Sequence, residues 1–208
     1  MAELLSLEEA LARILGRVTP LGHEGVGLSA AAGRVLAEDA QAAVDLPPFP
    51  SSAMDGFAVR SEDTPGRLPV VARIAAGVPA PRALEAGEAM AIATGGVVPA
   101  GADSVIPNEY VVEDDNSVEI PERVVHGDNV RPRGGDIGAG DVVVPRGARL
   151  GAAQIGALAA AGLDRVVAGR RPRVAVLATG TELRRPGEPL GPGEVYEANG
   201  VLLATAFA

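Results

Sequence analysis

Apolar positions at Leu7, Ala10, Leu11, Ile14, Leu15 and Val18 recur at the spacing of one helix face. Ser6 and Glu9 ahead of them fit a capping box, and Thr19-Pro20 closes the run. A helix this short is marginal by itself, so its stripe is expected to dock on another element. The turn-rich TPLGHEG leads to a second short helical piece expected near Ser29 to Leu36, and then to the extended EDAQAAVDLPP. From Phe57 to about Asp141 the period changes. PVVARIAAG, EAMAIAT, DSVIP, YVVED and SVEI are short apolar or alternating runs, cut by Gly, Pro and acidic residues at roughly 8–12-residue intervals, the spacing of a small sandwich or barrel.

A further strand is expected at VVV between Asp141 and Arg149, then an Ala-rich helix from Leu150 to Ala161 with Gly162 as its stop, then a strand from Leu163 to Val167. GRRPR, Gly169 to Arg173, reads as a linker. VAVLAT after it is a continuous apolar run of the buried parallel-strand kind, followed by TGTEL, a Pro/Gly loop, and a helix starting at Asn199. Strand, loop and helix in that order open an α/β unit. One strand and part of one helix do not bury their own apolar faces, so this unit is expected to be incomplete.

Composition narrows the function classes. The 208 residues suffice for one or two domains with a real core. Only 2% are aromatic and there is no tryptophan, so Ala, Val and Leu must build that core. Net charge is -9, and all 18 basic residues are arginine. An acidic chain of this kind is not expected to bind nucleic acid, because phosphate neutralisation needs a basic face. Anionic ligands remain possible where arginines or backbone amides concentrate. The absence of cysteine excludes disulfides and thiolate metal sites. His23 and His126 are far apart in the chain and are read as solvated rather than as ligands. MAELLSLEE has acid where a basic signal region would stand, and no apolar run reaches the ~20 residues of a membrane span. A cytoplasmic location, with no membrane partner, is expected.

The most specific stretch is LPPFPSSAMDGFAVR, Leu46 to Arg60. Its prolines fix φ and remove backbone donors, and Asp55-Gly56 then makes a turn that presents one carboxylate before Phe57 starts a strand. Three more motifs could carry chemistry. Thr94-Gly95-Gly96 follows the strand EAMAIAT and runs on to Asp103, offering amides and a hydroxyl to a ligand. NVRPRGGDI, Asn129 to Ile137, sets Arg131 and Arg133 before a glycine pair and Asp136, which suits an oxyanion beside a metal-binding acid. Thr179-Gly180-Thr181-Glu182-Leu183 follows the expected parallel strand, at whose C-terminal end α/β folds bind ligands. From residue types alone, the first three motifs are more often ordinary turns, while the position of Glu182 favours function.

Together these motifs resemble the molybdopterin molybdenumtransferase family of the MoeA type, whose fold is shared with the enzymatic part of gephyrin. The family runs approximately L-P-P-F-D-N-S-A-M-D-G-Y-A-V in the first motif; this chain differs at Pro50, Ser51 and Phe57. It follows T-G-x-x-x-P-x-G-A-D from Thr94 to Asp103. It has Gly135 for the Glu of N-(I/V)-R-x-x-G-E-D-I, and Thr181 for the Asp or Asn of T-G-(D/N)-E-L. Tyr196 to Asn199 is similar to Y-D-x-N.

The resemblance implies a multidomain α+β and α/β fold. A β-rich, barrel- or sandwich-like domain (46–140) would be inserted in a small α+β domain (21–45 and 141–170). The start of a molybdopterin-binding α/β domain (171–208, incomplete) would follow, with the helix of 1–20 docked on it. It further implies Mg²⁺-dependent molybdenum insertion into adenylylated molybdopterin, with molybdate as substrate and release of AMP, by a homodimer. In such a dimer the cleft combines the β-rich domain of one subunit with the α/β domain of the other. Asp55, Asp136 and Glu182, hard oxygen donors of the kind Mg²⁺ prefers, would be catalytic and metal-binding; Thr94, Gly95, Arg131, Thr179, Gly180 and Asn199 would bind substrate. The alternatives are a non-catalytic scaffold on the same fold, or an inactive piece of the enzyme.

Overall fold

A computed structural model describes residues 5–207. In chain order its elements are α1 (Leu7–Leu15), β1 (His23–Gly27), β2 (Ala40–Gln41), β3 (Ser51–Ser52), β4 (Gly56–Val59), β5 (Gly66–Ile74), β6 (Ala89–Ile92), β7 (Ser104–Pro107), β8 (Val112–Asp114), β9 (Ser117–Ile120), β10 (Val130–Arg131), β11 (Val142–Val144), α2 (Ala152–Ala160), β12 (Arg165–Gly169), β13 (Leu183–Arg184), β14 (Val195–Tyr196) and α3 (Asn199–Ala206). The chain divides into two compact units: His23–Gly169, and the chain up to Gly22 together with the chain from Arg170.

The centre of His23–Gly169 is a curled six-stranded sheet in the order β7-β4-β6-β5-β9-β8. All its pairings are antiparallel except β5 with β6. β4 explains why the sequence Gly-Phe-Ala-Val lacks alternation. Phe57 and Val59 face one apolar cluster, with Leu68, Ile106, Val118 and Ile120, while Ala58 faces another, with Ile74, Met90, Ile92 and Val105. A strand covered on both sides carries apolar residues at every position. Phe57 is 1% exposed, and full burial of such a side chain contributes about 1.5–3 kcal/mol. The five runs expected as strands between Pro69 and Ile120 all contribute strands to this sheet.

A third cluster lies under α2, where Leu150 and Leu158 pack with Leu36, Val144 and Val166. The pairs β1–β12 and β2–β11 frame it. α2 ends as its sequence predicts. Gly162 has φ +84°, its N–H donates to the Ala159 carbonyl at 3.1 Å, and the Leu163 N–H donates to the Leu158 carbonyl at 3.0 Å. This is a Schellman stop, closed by the apolar pair Leu158 and Leu163.

Two expectations are corrected. The helical piece near Ser29 to Leu36 is only a single 3-10 turn, Leu28–Ala30. Gly33 takes φ +76°, which ends helical geometry, and Val35 and Leu36 instead bridge to Arg149 and Ala168. The apolar run Val174–Thr179 forms no strand. A strand needs a neighbour for its N–H and C=O groups, and none pairs with this run among the described residues; Leu177 is 88% exposed. In the same unit β13 and β14 form a short parallel pair, and α3 begins at Asn199 as expected. α1 has the expected capping box between Ser6 and Glu9. No residue of α1 is buried, so its apolar stripe is exposed.

Candidate functional site

The site grows from the approach Asp45-Leu46-Pro47 and from β3, which is held between two other motifs. On one side Ser52 exchanges backbone hydrogen bonds with the glycine turn: the Gly95 N–H donates to the Ser52 carbonyl at 2.8 Å, and the Ser52 N–H donates to the Gly96 carbonyl at 3.0 Å. On the other side β3 pairs antiparallel with β10, setting Ser51 opposite Arg131 and Ser52 opposite Val130. Ser51 and Ser52 are buried, and Ser52 Oγ donates to the Met54 carbonyl at 2.6 Å. The turn after them is therefore fixed by its own lead-in.

That turn presents Asp55. The side chain is exposed, and its Oδ1 accepts the Thr94 backbone N–H at 2.7 Å. Gly56 is required here by crowding, because a Cβ at this position would stand 2.0 Å from the Ile106 carbonyl oxygen of β7. Gly95 is required by conformation, at φ +77°. A cleft of about 380 Å³ opens beside Asp55, with Phe57, Ile74 and Ile92 among its walls and Asn108 and the Arg73–Glu113 ion pair at its rim. A second cleft, about 640 Å³, lies along Ile106, Tyr110 and Val124 and is not lined by Asp55.

Arg131 leaves β10 and pairs with Asp136 across the glycine loop, both side chains being about half exposed. Two backbone bonds join this loop to the proline approach: Asp136 N–H to the Leu46 carbonyl at 2.9 Å, and Gly134 N–H to the Pro47 carbonyl at 2.9 Å. Asn129 reaches a left-handed φ of 54°; its Nδ2 donates to the Val105 carbonyl at 2.9 Å. So the structure brings Asp55 to Thr94 and Gly95, and Arg131 to Asp136, with β3 linking the two groups.

The remaining expected site residues belong to the other unit. The Glu182 carboxylate folds over Gly180, where a Cβ would lie 2.6 Å from Oε1. The Glu182 carbonyl accepts the Val195 N–H at 2.9 Å, fixing the loop from Thr179 to Glu182 at the start of the β13–β14 pair. Asn199 opens α3, and the next residue, Gly200, donates its N–H to Glu197 Oε1 at 2.5 Å. Among the described residues, no group of three or more His, Asp or Glu side chains converges as a metal cage.

Two carboxylates outside the expected site residues prove to be structural. Asp103, the far end of the Thr94 motif, accepts Ser61 N–H at 2.8 Å, Ser61 Oγ at 3.1 Å and Ser104 Oγ at 2.7 Å, with His126 Nδ1 3.3 Å away. Burial pushes its pKa up, but the donors from Ser104, Ser61 and His126 outweigh that and hold it below the usual carboxylate range. His126 itself is exposed, as its reading as a solvated residue requires. Asp45 accepts Ala139 N–H at 2.8 Å and Arg133 Nε at 2.6 Å, and these two donors, the backbone one foremost, lower its pKa. Asp45 has no local signal beyond an acid before a turn, and Asp103 is marked only as the last residue of the Thr94 motif.

The family description that matches the chain is "MoeA N-terminal region (domain I and II)", over residues 5–162. Molybdopterin molybdenumtransferase 2 of Mycobacterium tuberculosis is 42% identical over 188 residues, covering 87% of this chain and 46% of that protein. Molybdopterin molybdenumtransferase of Staphylococcus epidermidis is 34% identical over 206 residues, covering 96% and 49%. A molybdopterin biosynthesis MoeA protein of Pyrococcus horikoshii superposes with a TM-score of 0.85 at 32% identity, covering 99% of this chain and 57% of that one. The chain spans about half the length of the curated relatives it matches. With its four motifs placed as described, the chain belongs to the MoeA family of molybdopterin molybdenumtransferases and carries that family's N-terminal region.

Proposed function

We propose that the chain binds adenylylated molybdopterin and molybdate for molybdenum insertion, with AMP as the leaving product, and works as a homodimer in the cytoplasm. The observation that carries this reading is the contact between Asp55 and the Thr94 amide. It joins two of the motifs that carry the family resemblance and leaves a carboxylate exposed at a cleft.

Asp55 Oδ2 accepts no hydrogen bond from the described residues, so an exposed hard oxygen donor is available there. That donor chemistry fits Mg²⁺, which Asp55 would help to hold. When bound, the ion would neutralise phosphate and molybdate charge. The chain's own residues do the rest. Thr94 N–H fixes the rotamer of Asp55. Asp136 orients the Arg131 guanidinium, whose remaining N–H groups suit an oxyanion in bidentate fashion. At Gly95 no side chain stands in the way of a ligand, while the N–H groups of Thr94, Gly95 and Gly96 are taken by Asp55, Ser52 and Ala93 and hold the turn in shape. Thr179, Gly180 and Asn199 would line the part of the cleft that a second subunit contributes.

The test is calorimetric binding of adenylylated molybdopterin to the purified chain in Mg²⁺, with and without molybdate. The chain alone is expected to bind weakly, and Asp55→Asn to weaken binding at least tenfold. Equal affinity of the mutant and the parent would remove Asp55 from the site, and absence of binding by the parent would sink the reading.

A further inference from the structure

Asp45 lies outside the four motifs, yet its one carboxylate grips both ends of the loop that carries Asp136. Oδ2 accepts Arg133 Nε at 2.6 Å, before Asp136, and Oδ1 accepts Ala139 N–H at 2.8 Å, after it. Between these points Gly134 sits against the carboxylate at φ +66°, where a Cβ would stand 3.4 Å from Oδ1. The residues following Asp45 complete the clamp. Leu46 donates to the Ile137 carbonyl at 2.8 Å and accepts from Asp136 N–H at 2.9 Å. Further along the same segment, Ser51 pairs opposite Arg131.

We propose that Asp45 is the positioning residue that sets Arg131 and Asp136 for an anionic, phosphate-bearing ligand. The segment from Asp45 to Asp55 then acts as a ruler: its first residue fixes one half of the site and its last residue forms the other. A carboxylate is suited to this because it accepts two bonds at once, one of them from a cation. It also keeps Arg133 engaged, so that of the two arginines in the loop only Arg131 is directed at Asp136. This rests on the proposed reading of the Arg131–Asp136 loop as a ligand-binding element.

The experiment compares Asp45→Asn and Asp45→Glu with the parent chain by two readouts. The first is hydrogen exchange resolved by residue. In Asp45→Asn the amides of Gly134, Asp136, Ile137 and Ala139 are expected to exchange at least tenfold faster, while those of Phe57, Ala58 and Ala91 in the sheet are unchanged. Acceleration of both sets together would mean a general loss of stability and would overturn the proposal, as would unchanged exchange in the loop. Should Asp45→Asn fail to fold, Arg133→Gln, which removes only one of the two bonds, takes its place under the same criteria. The second readout is affinity for adenylylated molybdopterin, expected to fall about tenfold in Asp45→Asn and to recover in part in Asp45→Glu. If the parent binds no nucleotide, the proposed function falls, while the exchange contrast still decides whether Asp45 positions the loop.

Discussion

The backbone N–H of Thr94 donates to Asp55 Oδ1 at 2.7 Å, tying together two turns that stand 39 residues apart in the chain. Each turn follows its own glycine logic, and the bond between them turns two ordinary surface loops into one presented carboxylate. An asparagine at position 55 keeps an acceptor oxygen for Thr94 but loses the charge.

Asp55→Asn is therefore expected to leave stability within ~0.5 kcal/mol of the parent, as exposed substitutions do. On the proposed function, molybdenum insertion should fall on the order of a hundredfold or more, the scale for loss of a preorganised electrostatic group. Melting temperature and an insertion assay, measured side by side, decide the matter. A large drop in melting temperature would make Asp55 a structural residue instead.

Gly56 and Gly95 are expected to fail for different reasons when changed to alanine. At Gly56 the new Cβ would meet the Ile106 carbonyl oxygen at 2.0 Å, a clash with neighbouring backbone that neither strand can relieve without opening the β4–β7 ladder. A loss of about 3 kcal/mol or more follows from overpacking of this kind. At Gly95 there is open space, and only the positive φ is at stake, so about 1–2 kcal/mol is expected. Urea unfolding midpoints should separate the two variants in that order.

How much of this was legible in the chain depends on the range of the interaction. The Pro-rich approach, the Asp-Gly turn, the strand runs and the Gly162 stop are local, set by φ restrictions and side-chain period, and the sequence shows them directly. Asp45 could not be found that way, since its partner Arg133 is 88 residues distant and no local pattern marks the pair. The same holds for Asp103 and Ser61, which are 42 residues apart. Ser29 to Leu36 has helical spacing, but Gly33 and the long-range bridges of Val35 and Leu36 override it. The site residues were legible chiefly as motifs; that Ser52 stands between the glycine turn and β10 is a fact of the fold.

Asp103 gives a pH signature. Its folded pKa lies below the ordinary carboxyl value, and an unfolded aspartate titrates near ~3.9. Its contribution to stability is thus fully present above that unfolded value and is lost as pH falls through the lower, folded one. Asp103→Asn should be less stable at neutral pH by about 1 kcal/mol, allowing for partial exposure. Its stability should also decline less steeply than the parent's on acidification below about pH 4. Thermal unfolding of both proteins across that range provides the check; parallel curves would show that Asp103 titrates normally.

Residues 170–207 should behave differently from the sheet. The stretch from Arg170 to Gly180 has no strand or helix assigned, and Leu177, Val201, Leu202 and Phe207 are more than half exposed. Exposed apolar side chains next to backbone groups without a ladder favour association with other surfaces. The purified chain is therefore expected to self-associate in a concentration-dependent way. Its amides from Val174 to Gly180 should exchange rapidly while those of β4, β5 and β6 stay protected. Changing Leu177 and Leu202 to serine should reduce self-association in sedimentation velocity without altering protection of the sheet. Strong protection across Val174 to Gly180, combined with a monomer at all concentrations, would show that this segment folds on its own and that its apolar residues find partners within the chain.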